Sequence, residues 1–246
     1  MAPAALALAG ALVRPVETRL WNRVRATVSI GDAAAVRELA GQGIVLAVLG
    51  GFRGIAADVL WLEANQAWQR HDIPATYSLI RLTALTDPRP LYFWLNGARM
   101  VAYDMPVWRI DQAGGDLPES AVQRIDAEQA ALALEFLKLA ARCRGDDPAV
   151  AIEVANIHLR RRRDVAQAAE WYRRAAEMPG APYYAARIHG ELLRSLGRKR
   201  EALAWLQSLL PTLPADDPAA QREVVQERIA ELTRELDAPE AAPDPR

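Results

Sequence analysis

Residues 148–180 read PAVAIEVANIHLRRRRDVAQAAEWYRRAAEMPG, and residues 183–214 read YYAARIHGELLRSLGRKREALAWLQSLLPTLP. In each stretch, apolar residues recur every three or four positions, a polar turn interrupts them, and a second such run follows. The turns lie between Arg160 and Asp164 and around Gly197. This spacing predicts two amphipathic helices joined by a tight turn in each stretch. The two stretches therefore predict two similar helical hairpins.

The predicted hairpins carry small residues at equivalent places. Ala155 and Gly190 correspond in the first helices, and Ala168 and Ala202 correspond in the second helices, with the two offsets agreeing to within one residue. Pro214 ends the second stretch. This pattern resembles the tetratricopeptide repeat, a helix hairpin of about 34 residues in which small residues let the helices cross closely. Pro179 comes one residue too early for that pattern in the first stretch.

The resemblance implies an all-α fold of the repeat solenoid type, a right-handed superhelix whose first helices line a concave groove. It covers about residues 55–236, with the repeats over residues 55–214, since residues 55–88 supply a further unit with Ala64 as its small residue and Asp87 and Pro88 at its end. Another first helix, LYFWLNGARMVAYD, has the long helix from about Pro118 to Cys143 as its partner. Asp104 to Leu117 is then a long, glycine-containing insertion.

The ends of the chain differ from the repeats. Residues 216–237 predict an amphipathic capping helix, and residues 238–246 predict a disordered tail. Residues 1–43 predict an N-terminal helical segment, and residues 44–62 form a hydrophobic segment that overlaps the first repeat helix.

Two interpretations of residues 44–62 stay open. The segment is near the hydropathy threshold for a membrane anchor, although Arg53 and Asp58 oppose insertion. The arginine-rich residues before it would keep the N-terminus in the cytoplasm, so that the protein would be associated with the inner membrane and its repeats would lie in the periplasm. Alternatively, a core helix begins near Gly54, Arg53 pairs with a carboxylate, and the protein is cytoplasmic. The abundance of alanine and arginine suggests a bacterial source.

Composition and motifs argue against several functions. The 246 residues include 30 basic and 31 acidic ones, so no overall field favours nucleic acid. Cys143 is the only cysteine, the three histidines are scattered, and GGFRG lacks the residues of a phosphate-binding loop. We expect a non-catalytic protein with no cofactor and no metal site.

The resemblance also places candidate binding residues on the free faces of the first helices. Aromatic and arginine side chains there are suited to anchor a partner, although each tryptophan could instead fill a gap between hairpins. The candidates for partner binding are Trp61, Asn65, Trp68, Tyr92, Arg99, Asn156, Tyr184, Arg187, Glu191 and Arg194.

Basic residues concentrate in the turns within the predicted hairpins. Asp146, Asp147, Asp216 and Asp217 lie in the turns between them, so one edge should be basic and the other acidic. The basic edge could orient an acidic partner or anionic lipids, or it could consist of solvated turns. Its residues are Arg160, Arg161, Arg162, Arg163, Arg198, Lys199 and Arg200.

Together these features predict a scaffold that binds partner proteins or peptides through a tetratricopeptide-type groove, with a membrane anchor as an open addition. The alternative is a regulatory helical domain that binds a peptide or a small ligand, and a helical hydrolase is a weaker third option.

Overall fold

The computed structural model describes residues 51–144 and 147–237, and the regular elements in these ranges are all helical. The all-α prediction is therefore confirmed. The chain forms two compact units. Of the described residues, the N-terminal unit contains 51–125 and 135–144, and the C-terminal unit contains 126–134 and 147–237.

The α-helices follow one another along the chain with short connections. In order they are α1 Arg53–Gln69, α2 Ile73–Thr86, α3 Leu91–Arg99, α4 Met105–Gln112, α5 Glu119–Arg144, α6 Pro148–Arg160, α7 Val165–Glu177, α8 Tyr183–Ser195, α9 Lys199–Leu209 and α10 Arg222–Asp237.

In the N-terminal unit, α1 and α2 form a hairpin. Ala57, Leu60 and Ala64 are fully buried on α1, and the short side chains of the two alanines let the helices approach closely. The side chain of Asp72 accepts a hydrogen bond from the backbone N–H of Ala75 at 3.1 Å and caps α2. The hairpin predicted over residues 55–88 is therefore present.

Asp87 lies at the end of α2 and binds the start of α1. Its carboxylate is 3.9 Å from Nε of Arg53 and 2.8 Å from Nε of Arg89. Burial raises the pKa of Asp87, but hydrogen bonds from Arg89 and the charges of Arg89 and Arg53 outweigh it, so the pKa lies below its usual 3.8. A core helix that starts at Arg53, with Arg53 paired to a carboxylate, is thus observed.

The predicted hydrophobic segment at 44–62 is covered only in part. Residues 44–50, like residues 1–43, lie outside the described residues. From residue 53 onward the segment belongs to α1, whose buried face packs against α2. Within residues 51–144 and 147–237, the helices lack the combined length and apolar character needed to cross a membrane.

The insertion predicted between Asp104 and Leu117 is wrong in its first part, because residues 105–112 are helical. A π-helical segment, Met100–Asp104, joins α3 directly to α4. Pro106 has no N–H to donate, so it would disturb an α-helix that ran on from α3 without interruption, whereas the first turn of α4 tolerates it. The widened turn keeps Val101, Met105 and Trp108 buried. The glycine-containing connection is limited to residues 113–118.

Helix α3 packs against the long helix α5, as predicted. A Cβ built on Gly97 would lie 2.9 Å from Cε1 of Phe136, so glycine permits this contact. The rings of Trp94 and Phe136 have centroids 4.9 Å apart. These buried aromatic residues form part of the core of the N-terminal unit.

The C-terminal unit contains the two hairpins predicted first, α6 with α7 and α8 with α9. Asp147 and Asp164 cap α6 and α7, accepting hydrogen bonds from backbone N–H groups at 3.0 and 2.9 Å. Ala155, Ala168 and Ala202 are completely buried at the predicted crossing positions. The small residues of the predicted pattern therefore lie in the buried interior of the C-terminal unit.

The last helix begins later than predicted. Residues 218–220 form a 3-10 turn that Asp217 caps, and Gln221 follows with a φ of 44°. This left-handed residue breaks the helix, so α10 starts at Arg222. Val225 and Leu232 of α10 are buried in the core of the C-terminal unit. Residues 238–246, predicted as a tail, lie outside the described residues.

Candidate functional site

Helix α8 has a polar face opposite its buried face. Its buried face contains Ala186, Gly190 and Leu193. The polar face carries residues spaced three or four positions apart, which places them in one row along the helix. These residues define the α8 face: Tyr184, Arg187, Glu191 and Arg194.

Arg187 and Glu191 connect the α8 face to the C-terminal end of the unit. Arg187 donates a hydrogen bond to the carbonyl of Ala220 at 3.0 Å, and its guanidinium has a pKa lowered by burial. Glu191 accepts a hydrogen bond from Nε of Arg194 at 2.9 Å and lies 3.2 Å from Nε of Arg228 on α10. The α8 face thus contains a carboxylate held between two guanidinium groups.

Tyr184 is the aromatic residue of this surface and is 42% exposed. An exposed tyrosine next to ordered arginine side chains has the composition of a protein-binding hot spot. Arg228 was missed by the sequence analysis, since α10 was treated as a cap and not as a further helix lining the same surface. Its contact with Glu191 places Arg228 beside the α8 face.

Asn156 has a different environment, within the α6–α7 hairpin. Its side-chain oxygen accepts a hydrogen bond from the hydroxyl of Tyr172 at 2.6 Å. Tyr172 is buried, so this bond fixes the orientation of both side chains. The structure therefore gives Asn156 a role in holding the hairpin together.

The candidates of the N-terminal unit divide into packed and exposed residues. Trp61 is 8% exposed, and its ring centroid lies 5.3 Å from that of Tyr92, which is 56% exposed. Asn65 donates to the carbonyl of Trp61, one turn earlier in α1. Arg99 is exposed on α3. In this unit Tyr92 and Arg99 are the exposed members of the set.

Trp68 contacts Asp104, the last residue of the π-helical segment, and Trp108 of α4. Its indole N–H donates to Asp104 at 2.7 Å, and its ring centroid lies 6.0 Å from that of Trp108. This tryptophan therefore joins α1 to the start of α4, which fits the gap-filling interpretation.

An apolar stripe runs along the exposed face of α1. Three of its residues lie on the helix at spacings of four and three positions, and one lies just before it. The members of the α1 stripe are Phe52, Ile55, Val59 and Leu62, which are 47%, 63%, 43% and 62% exposed. All four residues fall within the hydrophobic segment predicted at 44–62.

The predicted basic edge is partly neutralised by acidic partners. Arg161 pairs with Asp126, Arg198 bonds to Glu201 at 2.7 Å, and Lys199 lies 2.9 Å from Glu235. The exposed residues of this edge are Arg160, Arg162, Arg163, Arg198 and Arg200. On the acidic side, Asp147 and Asp217 serve as helix caps, and Asp146 lies outside the described residues.

The three histidines have different surroundings. His71 is exposed and stacks on Trp108, with centroids 4.9 Å apart. His158 and His189 are buried, and burial is the main cause that lowers the pKa of each. In the described part of the chain, no three histidine, cysteine or acidic side chains gather as a metal site would require.

The chain was compared with protein-family models and with curated protein sequences. It matches no family model, and no curated protein matches it.

Proposed function

We propose that this protein is a non-catalytic scaffold that binds a partner protein or peptide on the α8 face of a tetratricopeptide-type hairpin array. The observation that carries the proposal is the row formed by Tyr184, Arg187, Glu191 and Arg194 on the first helix of a hairpin. First helices line the binding groove in the repeat that the sequence resembles.

The contacts of the α8 face support this proposal. The bond from Arg187 to Ala220 and the position of Glu191 between Arg194 and Arg228 hold long side chains in one arrangement. Side chains that are ordered before binding lose less conformational entropy when a partner binds. Tyr184 supplies exposed aromatic area beside these charges, as interface anchors commonly do.

Site-specific photocrosslinking in cells tests the proposal. A photoreactive amino acid is placed at Tyr184 or at Arg194 of the full-length protein, and, as a matched control, at Gln207, which is exposed on α9. We expect the first two positions to crosslink the same partner band and Gln207 to give no such band. Equal crosslinking from all three positions, or none from Tyr184 and Arg194, would contradict the proposal.

Substitution of Glu191 tests whether partner binding depends on the ordered charges of the α8 face. Glu191→Gln keeps the shape of the side chain but removes the charge between Arg194 and Arg228. We expect the crosslink from Tyr184 to fall several-fold, because the two guanidinium groups lose their common partner. The unchanged yield of folded protein, measured by circular dichroism, serves as the control.

The α1 stripe supports the membrane-associated form of this scaffold. In the sequence it follows the apolar residues 44–49 after two glycines. Flotation of the full-length protein with lipid vesicles tests this extension, and an Ile55→Ser, Leu62→Ser variant should float less. Equal flotation of both proteins would show that the α1 stripe does not bind lipid. The proposal that the α8 face binds a partner would still stand.

A further inference from the structure

A cavity of about 440 Å³ lies in the C-terminal unit, with walls from the second helices of both hairpins. Its size falls within the range of small-molecule sites, roughly 300–1,000 Å³. Ala166 and Ala169 of α7 and Ala204 of α9 line the walls, and their short side chains leave the space open. His189 and Leu193 contribute from α8. None of these residues belongs to the α8 face.

The orientation of His189 leaves one ring nitrogen for a ligand. Nδ1 lies 2.8 Å from the backbone carbonyl of Ala169, and since a carbonyl can only accept, Nδ1 carries the hydrogen. Nε2 of the neutral ring is therefore an acceptor. Among the described residues no donor bonds to Nε2, and although His189 as a whole is only 5% exposed, Nε2 is not one of the fully enclosed polar atoms that lack a partner. Nε2 is therefore an acceptor that opens into the cavity, where a ligand that brings a donor can bond to it.

Trp205 supplies a fixed aromatic surface beside this acceptor. Its indole N–H donates to the carbonyl of Ala186 at 2.8 Å, so that the ring is held in place and its own donor is occupied. The Trp205 and His189 rings lie edge to face, with centroids 4.6 Å apart. An aromatic ligand can pack against such a pair in an offset or edge-on arrangement.

The charges around the cavity cancel. Glu170 accepts from Arg173 at 2.7 Å on one wall, and Glu201 accepts from Arg198 at 2.7 Å on the other. A charged ligand would have to compete with one of these ion pairs. The lining therefore selects for a ligand without net charge.

We propose that this cavity binds an uncharged small aromatic molecule with a single N–H or O–H donor, whose ring packs against Trp205 and whose donor bonds to Nε2 of His189. Such a site is independent of the α8 face and gives the scaffold a small-molecule ligand of its own.

Calorimetric titration of the full-length protein with indole and with 1-methylindole tests the proposal. Indole carries a single N–H donor, and its methylated form has nearly the same shape without the donor. We expect indole to bind with one-to-one stoichiometry and 1-methylindole to bind about five- to tenfold more weakly. The absence of saturable indole binding, or equal affinities for the two compounds, would overturn the proposal.

Substitutions locate the binding to this cavity. Ala204 is exposed, so Ala204→Leu fills the cavity without disturbing the core, and it should reduce indole affinity at least tenfold. Ala230→Leu, at an exposed alanine of α10 that does not line the cavity, should bind as the wild type does. His189→Phe should remove the preference for indole over 1-methylindole. Wild-type affinity in Ala204→Leu would overturn the assignment, whether or not His189→Phe folds.

Discussion

Gly190 of α8 faces Leu206 of α9 so closely that a Cβ on Gly190 would lie 2.8 Å from Cδ2 and 3.1 Å from Cγ of Leu206. Leu206 is 2% exposed and packed into the core of the C-terminal unit, so it has little room to move away. The closeness of α8 and α9 therefore depends on the absence of a side chain at position 190.

We expect Gly190→Ala to lower the free energy of unfolding by about 1 kcal/mol. Alanine gains about 1 kcal/mol in helix propensity, but overpacking of a core contact costs about 1–3 kcal/mol. Urea denaturation measures the difference. Gly54→Ala is the matched control, because its Cβ would meet Asp87 at 3.7 Å, an ordinary contact distance, and it should not destabilise the protein. A Gly190→Ala variant as stable as the wild type would show that Leu206 can rotate away.

Asp87→Asn should destabilise the α1–α2 hairpin. Asp87 is 3% exposed, and its carboxylate forms ion pairs with both Arg53 and Arg89. Loss of its charge therefore removes the ion pair between Asp87 and Arg53. We expect a loss of about 2 kcal/mol, below the value for a fully buried pair because Arg89 is largely solvated. Asp58→Asn, at an exposed position of α1, should change stability by less than about 0.5 kcal/mol. Equal losses in thermal denaturation would contradict this role.

Two neighbouring arginines of the basic edge should respond differently to charge reversal. Arg161 pairs with Asp126, and both side chains are mostly buried, whereas Arg162 is exposed. Arg161→Glu brings two carboxylates together and should cost about 2 kcal/mol, while Arg162→Glu should cost less than about 0.5 kcal/mol. Urea denaturation compares the two variants, and the opposite order would contradict the assignment. Weaker partner capture by the stable Arg162→Glu variant would then show that the edge itself takes part in binding.

Mild acid should lower the stability of the C-terminal unit through His158 and His189. Burial holds the pKa of both below the ordinary value of 6.5, with Arg162 adding to the effect at His158 and Arg173 at His189. As the pH falls below 6.5, the unfolded chain takes up protons that the folded chain does not bind. The free energy of unfolding therefore falls until the pH reaches the lower, folded-state values.

Urea denaturation between about pH 7.5 and pH 5 measures this slope, since the carboxylates with shifted pKa values lose their contributions only near and below their ordinary values of about 4. A variant with His158→Gln and His189→Gln should show a flatter dependence over the same window. The same slope in the variant and the wild type would assign the acid sensitivity to other groups.

The sequence by itself determined the helical hairpins and their crossing points. The period of the apolar residues, the turn at Arg160–Asp164 and the small residues Ala155 and Gly190 are local signals, and each depends only on neighbours along the chain. For that reason the turns between α6 and α7 and between α8 and α9 lie where they were predicted, and Gly190 does lie at a close contact.

Only the tertiary structure decided which side chains remain available and which are committed to partners distant in sequence. Trp68 was predicted to bind a partner, but its indole N–H donates to Asp104, 36 positions along the chain. Asp104 ends a π-helical segment that no periodicity in the sequence indicated. Nε2 of His189 became an available acceptor only when α7 placed the Ala169 carbonyl at Nδ1. Such pairings depend on how helices pack in space, because a side chain's exposure and bonding partners are set by neighbours that its local sequence does not specify.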